Sequence, residues 1–144
     1  MKILIDADGC PVTRLTCDIS KKYNIECIII TDTSHVFNIE GIKTVTVSKG
    51  NDSVDFKLVN MVEKGDIVIT QDYGLAAMCL AKRAIILNQN GTLYDDNNIL
   101  SMLSSRHISK MARMKGERIS GPSKRDKKYD EIFKEKLEEI LRKI

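Results

Sequence analysis

The sequence predicts an α/β fold of three layers, α/β/α, around a mostly parallel central sheet. Two observations predict it. Short apolar runs rich in Ile and Val alternate with segments whose apolar residues recur at helical spacing. Those runs are continuously apolar rather than alternating, as strands covered on both faces must be.

Lys2 to Asp6 is the first such run, stopped by Asp6-Ala7-Asp8-Gly9, and reads as a buried strand ending in a turn. Pro11 suits the first turn of a helix, where its missing N–H is harmless, and Val12, Leu15, Ile19 and Tyr23 follow near helical spacing. Ile25 to Thr31 is the second strand. A loop through Ser34-His35 leads to the third, Ile42 to Val47. A helix over 51–63 carries Val54, Leu58, Met61 and Val62 on its inner stripe, and Gly65 stops it.

Asp66 to Thr70 is the fourth strand, Leu75 to Lys82 a short helix, and Ala84 to Leu87 the fifth strand. Asn90-Gly91 is a two-residue hairpin signal, returning through Thr92-Leu93-Tyr94, so a small β-hairpin is expected near 84–94. Ile99 to Met114 reads as a helix, and 116–123, with Gly121-Pro122, as a loop. From Asp126 to Ile144, Tyr129, Ile132, Phe133, Leu137, Ile140, Leu141 and Ile144 share one face of an amphipathic helix. The expected organisation is one α/β domain over 1–123 and a C-terminal helix, 124–144, packed on it.

Composition excludes several classes. The chain has 144 residues, 42% hydrophobic and 30% charged, which suits one globular core. No apolar run is long enough to span a membrane, and Asp6 comes too early for a signal peptide, so a cytoplasmic location is expected. Cys10, Cys17, Cys27 and Cys79 form no CxxC pair, and only His35 and His107 could assist them, which argues against structural zinc. They are read as small buried apolar residues; Cys10, beside acids, should have a raised pKa.

The net charge of +3 hides an asymmetry. Between Arg106 and Lys128 nine Lys or Arg face two acids, a local +7, leaving the remaining chain at −4. Such a segment suits a polyanion, with Lys49, Arg106, Lys110, Arg113, Lys124 and Arg125 as candidate nucleic-acid contacts. It equally suits a solvated helical face joined to a linker.

In a parallel α/β sheet, ligands sit outside the carboxyl ends of the strands. Asp6 and Asp8 end the first strand, Asp52 and Asp55 open a helix at i, i+3, and Asp72 follows the fourth strand. Converging carboxylates need a compensating cation, and hard oxygen donors suit Mg or Mn, as one or two ions. Asp6, Asp8, Asp55 and Asp72, with Asp52 as a further metal ligand, are therefore the candidate catalytic and metal site. Singly, Asp52 and Asp72 are also explained as helix caps.

Three segments resemble the YaiI/YqxD family of uncharacterised bacterial proteins. They are Met1 to Val12, Gly50-Asn51-Asp52-Ser53-Val54-Asp55-Phe56, and Gly65 to Ala76 with its Thr70-Gln71-Asp72-Tyr73-Gly74 core. Gly121-Pro122, Asp126 and the amphipathic tail extend the resemblance over nearly the whole chain. That family is similar to the PIN-like nucleases, which implies a PIN-like sheet with clustered acids binding Mg or Mn for RNA cleavage. Asp6, Asp55 and Asp72 match that pattern, and Asp8 is an addition typical of the family. Asn88 and Asn90 stand where many PIN domains carry a further acid, leaving Asp95 and Asp96 as substitutes.

The resulting expectation is a metal-dependent nuclease acting on phosphodiesters, RNA favoured. One alternative is a nucleic-acid-binding or interaction module with the same shell and little catalysis. Another is a haloacid-dehalogenase-like phosphatase with Asp6 as nucleophile and Asp8 as general acid.

Overall fold

The computed structural model describes residues 1–50, 52–104 and 124–144. Strands β1 (Lys2–Asp6), β2 (Glu26–Asp32), β3 (Lys43–Val47), β4 (Ile67–Ile69), β5 (Ile85–Leu87) and β6 (Leu93–Tyr94) form one sheet in the order β3-β2-β1-β4-β5-β6. The first five are parallel, and β6 returns antiparallel to β5, pairing Leu93 with Leu87 and Tyr94 with Ile86. The helices are α1 (Thr13–Lys22), α2 (Ser53–Met61), α3 (Tyr73–Ala81), α4 (96–104) and α5 (Lys128–Arg142).

Because strand side chains alternate faces, Ile3 and Ile5 point to one side of the sheet and Leu4 to the other. Ile3, Ile5, Ile29, Ile67 and Ile69 are buried with Cys17 and Ile19 of α1 and with Phe133, Leu137 and Leu141 of α5. On the opposite face Leu4, Ile28, Ile30, Val68 and Ile86 are buried with Leu58 of α2, Leu75 and Cys79 of α3, and Ile99 of α4. The result is the expected three-layer sandwich. Each fully buried large side chain contributes about 1.5–3 kcal/mol, and Phe133 is among the largest with no exposure at all.

Four details depart from the sequence reading. Helix α1 begins at Thr13, so Pro11 lies in the preceding turn rather than in the helix. The β5–β6 connection spans residues 88–92, not two residues. Asn88 Oδ1 accepts from the N–H groups of Asn90 and Thr92, both at 2.9 Å, and this side-chain turn widens the loop. On α5 the buried stripe is Phe133, Leu137 and Leu141, whereas Ile132 and Ile144 are exposed. Asp52 precedes α2 in a left-handed conformation (φ +63°) and makes no side-chain cap bond. Its cap role is thereby withdrawn.

Cys17, Cys27 and Cys79 are buried and Cys10 is half-buried, all as free thiols. Burial, with the Asp6 carboxylate adding to it, pushes the Cys10 thiol up. No helix among the described residues is long and apolar enough to cross a membrane.

A candidate acidic site at the switch in strand order

Strand β1 is followed by β2 on one side, while the chain returns through α2 to place β4 on its other side. The loops leaving β1 and β4 therefore diverge, opening a crevice at their carboxyl ends. A cavity of about 570 Å³ occupies that edge, lined by Asp6, Asp8, Asp32, Asp52, Asp55 and Asp72, among others. Its lining contains no Lys or Arg among the described residues.

Asp6 sits at the base. It closes β1 and is only 9% exposed. Thr70, just past β4 and fully buried, donates from Oγ1 to Asp6 Oδ2 at 2.7 Å. The same Thr70 oxygen accepts the N–H of Asp72 at 3.0 Å. Burial, the first cause, raises the Asp6 pKa to about 6; the Asp72 and Asp8 charges push the same way, and the Thr70 hydroxyl opposes them. Asp72 also caps α3, its Oδ1 accepting from Leu75 N–H at 3.0 Å. Both readings of Asp72, cap and cavity wall, thus hold at once.

Asp55 enters from the first turn of α2, one helical turn from Asp52, and both line the cavity. Asp8, with a side chain 79% exposed, lies at the rim, its Oδ1 3.8 Å from His35 Nε2. His35 Nδ1 lies 3.8 Å from Asp32 Oδ1, so the imidazole stands between two carboxylates. Hydrogen bonds from Ser34 hold the Asp32 carboxyl below its usual range. Sequence reasoning missed both Asp32 and His35. The signal for Asp32 was present, since it directly follows the second apolar run; the signal for His35 was not.

All these donors are oxygens, which suits a hard cation. Among the described residues no three His, Cys, Asp or Glu gather closely enough to enclose a metal ion directly. That arrangement does not resemble a closed structural cage, but it fits Mg or Mn, which keep several waters and need only one or two direct carboxylates. The six acids reach the cavity wall from separate elements.

The basic candidates divide. Arg106, Lys110 and Arg113, and His107 beside them, lie outside the described residues. Lys49 is exposed just before the cavity-lining Gly50, within electrostatic reach of Asp32. Lys124 lines a second cavity of about 670 Å³ with Lys128, Arg125 and Asp126. Arg125 is largely committed to the fold: Nε and Nη2 lie 2.9 and 2.8 Å from Asp130 Oδ1, Nη1 donates to Asn90 Oδ1 at 2.8 Å, and Nη2 donates to the Gln89 carbonyl at 2.7 Å.

Residues 4–143 match the family model described as "Uncharacterized BCR, YaiI/YqxD family". A UPF0178 protein of Ruminiclostridium cellulolyticum is 52% identical over 138 residues, covering 95% of this chain and 90% of the relative. One from Exiguobacterium sibiricum is 45% identical, covering 98% and 96%. One from Natranaerobius thermophilus is 42% identical with the same coverage. No solved structure matches the chain significantly.

Proposed function

Because the chain belongs to the uncharacterised YaiI/YqxD family, whose description carries no activity, we propose from the site itself that it is a metal-dependent nuclease hydrolysing phosphodiesters, RNA favoured. The observation that carries this reading is a buried carboxylate, Asp6, set at the switch in strand order and ringed by acids from separate elements. In this reading Asp6, Asp8, Asp55 and Asp72, with Asp52 beside them, hold one or two Mg or Mn ions. A bound divalent cation supplies an acidified water and charge neutralisation at a phosphoryl oxygen.

The chain's own residues do the rest. Thr70 orients Asp6 by occupying Oδ2, and through its second bond it fixes the backbone that presents Asp72. Asp8, at the exposed rim of the same cavity, adds its carboxylate to the acidic wall 3.8 Å from His35 Nε2. The His35 imidazole, between Asp8 and Asp32, supplies positive charge to the rim when protonated.

The absence of a tight ligand group among the described residues favours one second reading, a nucleic-acid-binding module with the same shell and little catalysis. The phosphatase reading has less support, because its nucleophile would be a carboxylate almost wholly buried. Incubating single-stranded and structured RNA with Mn²⁺, beside an Asp6→Asn variant, separates these cases. The nuclease reading expects cleavage that the variant loses. Binding without cleavage selects the module, and hydrolysis of a small phosphomonoester with RNA untouched overturns both.

A further inference from the structure

The acidic cavity adjoins two others, of different chemistry. One, of about 440 Å³, shares Asp52, Asp55 and Asp72 with it and is completed by apolar groups, notably Phe56 and Met78. Phe56 follows Asp55 on α2 and is 63% exposed, while Met78 on α3 is 39% exposed. Phe56 thus leaves most of its aromatic side chain in water beside a cluster of carboxylates. The other neighbour is the 670 Å³ cavity with Lys124 and Lys128, which shares Gln71 with the acidic one. Gln71 is fixed as the wall between them by the bond its side-chain amide donates to the Gly9 carbonyl.

We infer that these three cavities form one track for a single-stranded nucleic acid, with a base stacked on Phe56, the backbone crossing the acidic cavity, and a neighbouring phosphate held by Lys124 and Lys128. This deepens the proposed function and rests on it. Stacking needs an unpaired base, because a duplex hides both faces of each base from a side chain. Without its cations the acidic cavity would repel a polyanion, so the flanks add attraction of their own: the ring at one end, the ammonium groups at the other. Arg125, committed to Asp130, Asn90 and Gln89, shapes the basic end rather than binding there.

The test is fluorescence anisotropy of a labelled single-stranded RNA, and of the same strand in a duplex, with Ca²⁺ in place of Mn²⁺ to keep the strand intact. Wild type should prefer the single strand. Phe56→Ala should weaken single-strand binding about tenfold with an unchanged salt dependence, and Phe56→Tyr should restore it. The Lys124→Glu/Lys128→Glu pair should weaken binding and flatten the plot of log affinity against log salt by about 1.4. All three residues are exposed, so the variants should melt like wild type. Duplex preference, no binding by wild type, or unaltered binding in these variants overturns the track. So does a wild-type dimer that Phe56→Ala dissociates, since Phe56 would then be covered by a second copy. Mn²⁺ titration and cleavage with Asp6→Asn judge the nuclease reading separately: strand binding that needs Phe56 and the lysines without any cleavage keeps the track and discards the enzyme.

Discussion

Thr70 and Asp6, separated by 64 residues in sequence, are joined by a 2.7 Å hydrogen bond at the carboxyl ends of two adjacent parallel strands. The β1–β4 register pairs Ile5 with Ile69, so the next step along each strand sets the hydroxyl beside the carboxylate. Thr70 serves two polar groups in a place where neither has much water.

Replacing Thr70 by Val should therefore orphan both the Asp6 carboxylate oxygen and the Asp72 N–H. A loss of about 1–3 kcal/mol is expected by urea denaturation, while Thr70→Ser, keeping the hydroxyl, should retain most of the stability. The Asp6 pKa should move further up in the Val variant, because the hydroxyl is what opposes burial. An NMR titration of the Asp6 carboxyl carbon would show it; an unmoved value would mean that the bond does little to the carboxylate.

Asp6 also sets a pH dependence. Its pKa is raised from 3.8 to about 6, so between those values the folded chain binds more protons than the unfolded chain. The sign follows: metal-free stability is highest with respect to this group below pH 3.8 and falls as pH rises toward about 6. Asp6→Asn should remove that slope and stabilise the metal-free protein at neutral pH by about 1–3 kcal/mol. Divalent binding should run the other way, since protons compete for the same carboxylate. Calorimetric Mn²⁺ affinity is expected to drop as pH falls below about 6, and an affinity flat across that range would remove Asp6 from the ligand set.

Asp66, at the opposite end of the sheet from the cavity, is a structural acid. It is 2% exposed, accepts the Lys2 ammonium at 2.7 Å and backbone N–H groups of Glu63 and Lys2 at 2.8 and 3.1 Å. Burial pushes its carboxyl up, but these donors together outweigh burial and hold it below its usual range. Stability from this group is thus present above its unfolded pKa and lost as pH falls through the lower folded value. Asp66→Ala should cost about 3–5 kcal/mol at neutral pH, by leaving buried donors unpaired, and clearly less in acid. Equal cost at both ends of a pH series of denaturation curves would contradict the charge-based account.

Gly91 reports on how closely the β5–β6 loop meets α5. Its φ is +81°, and an added Cβ would lie 3.1 Å from the Ile132 carbonyl oxygen and the Phe133 Cα. Both the conformation and the contact resist a side chain, since the neighbouring atoms are helix backbone. Gly91→Ala should destabilise by about 1–3 kcal/mol, seen as a lowered melting temperature, with Mn²⁺ affinity unchanged because the loop is not part of the acidic wall. A variant as stable as wild type would mean that the loop and α5 part easily.

Much of the architecture was legible because it is written in local pattern. Continuous Ile and Val runs identified β1, β2 and β4, and helical spacing identified α2 and the Phe133–Leu137–Leu141 stripe. Asp6, Asp8, Asp52, Asp55 and Asp72 could be placed at one sheet edge because parallel strands share a direction, so the ends of all of them meet there. Local pattern misled where a side chain replaced backbone chemistry. Asn90-Gly91 looked like a complete turn, but Asn88 extends it. Asp52 looked like a cap, but its left-handed backbone leaves it without that bond.

The sequence by itself thus determined the layers, the strands and the acids at their tips, since burial and helix or strand periodicity act over a few residues. Only the tertiary structure decided that β4 lies against β1, which creates the crevice, brings Thr70 to Asp6, adds Asp32 and His35 to the wall, and leaves Phe56 bare beside it. Strand order depends on contacts between segments tens of residues apart, and those contacts are chosen by packing of the whole core rather than by any local preference.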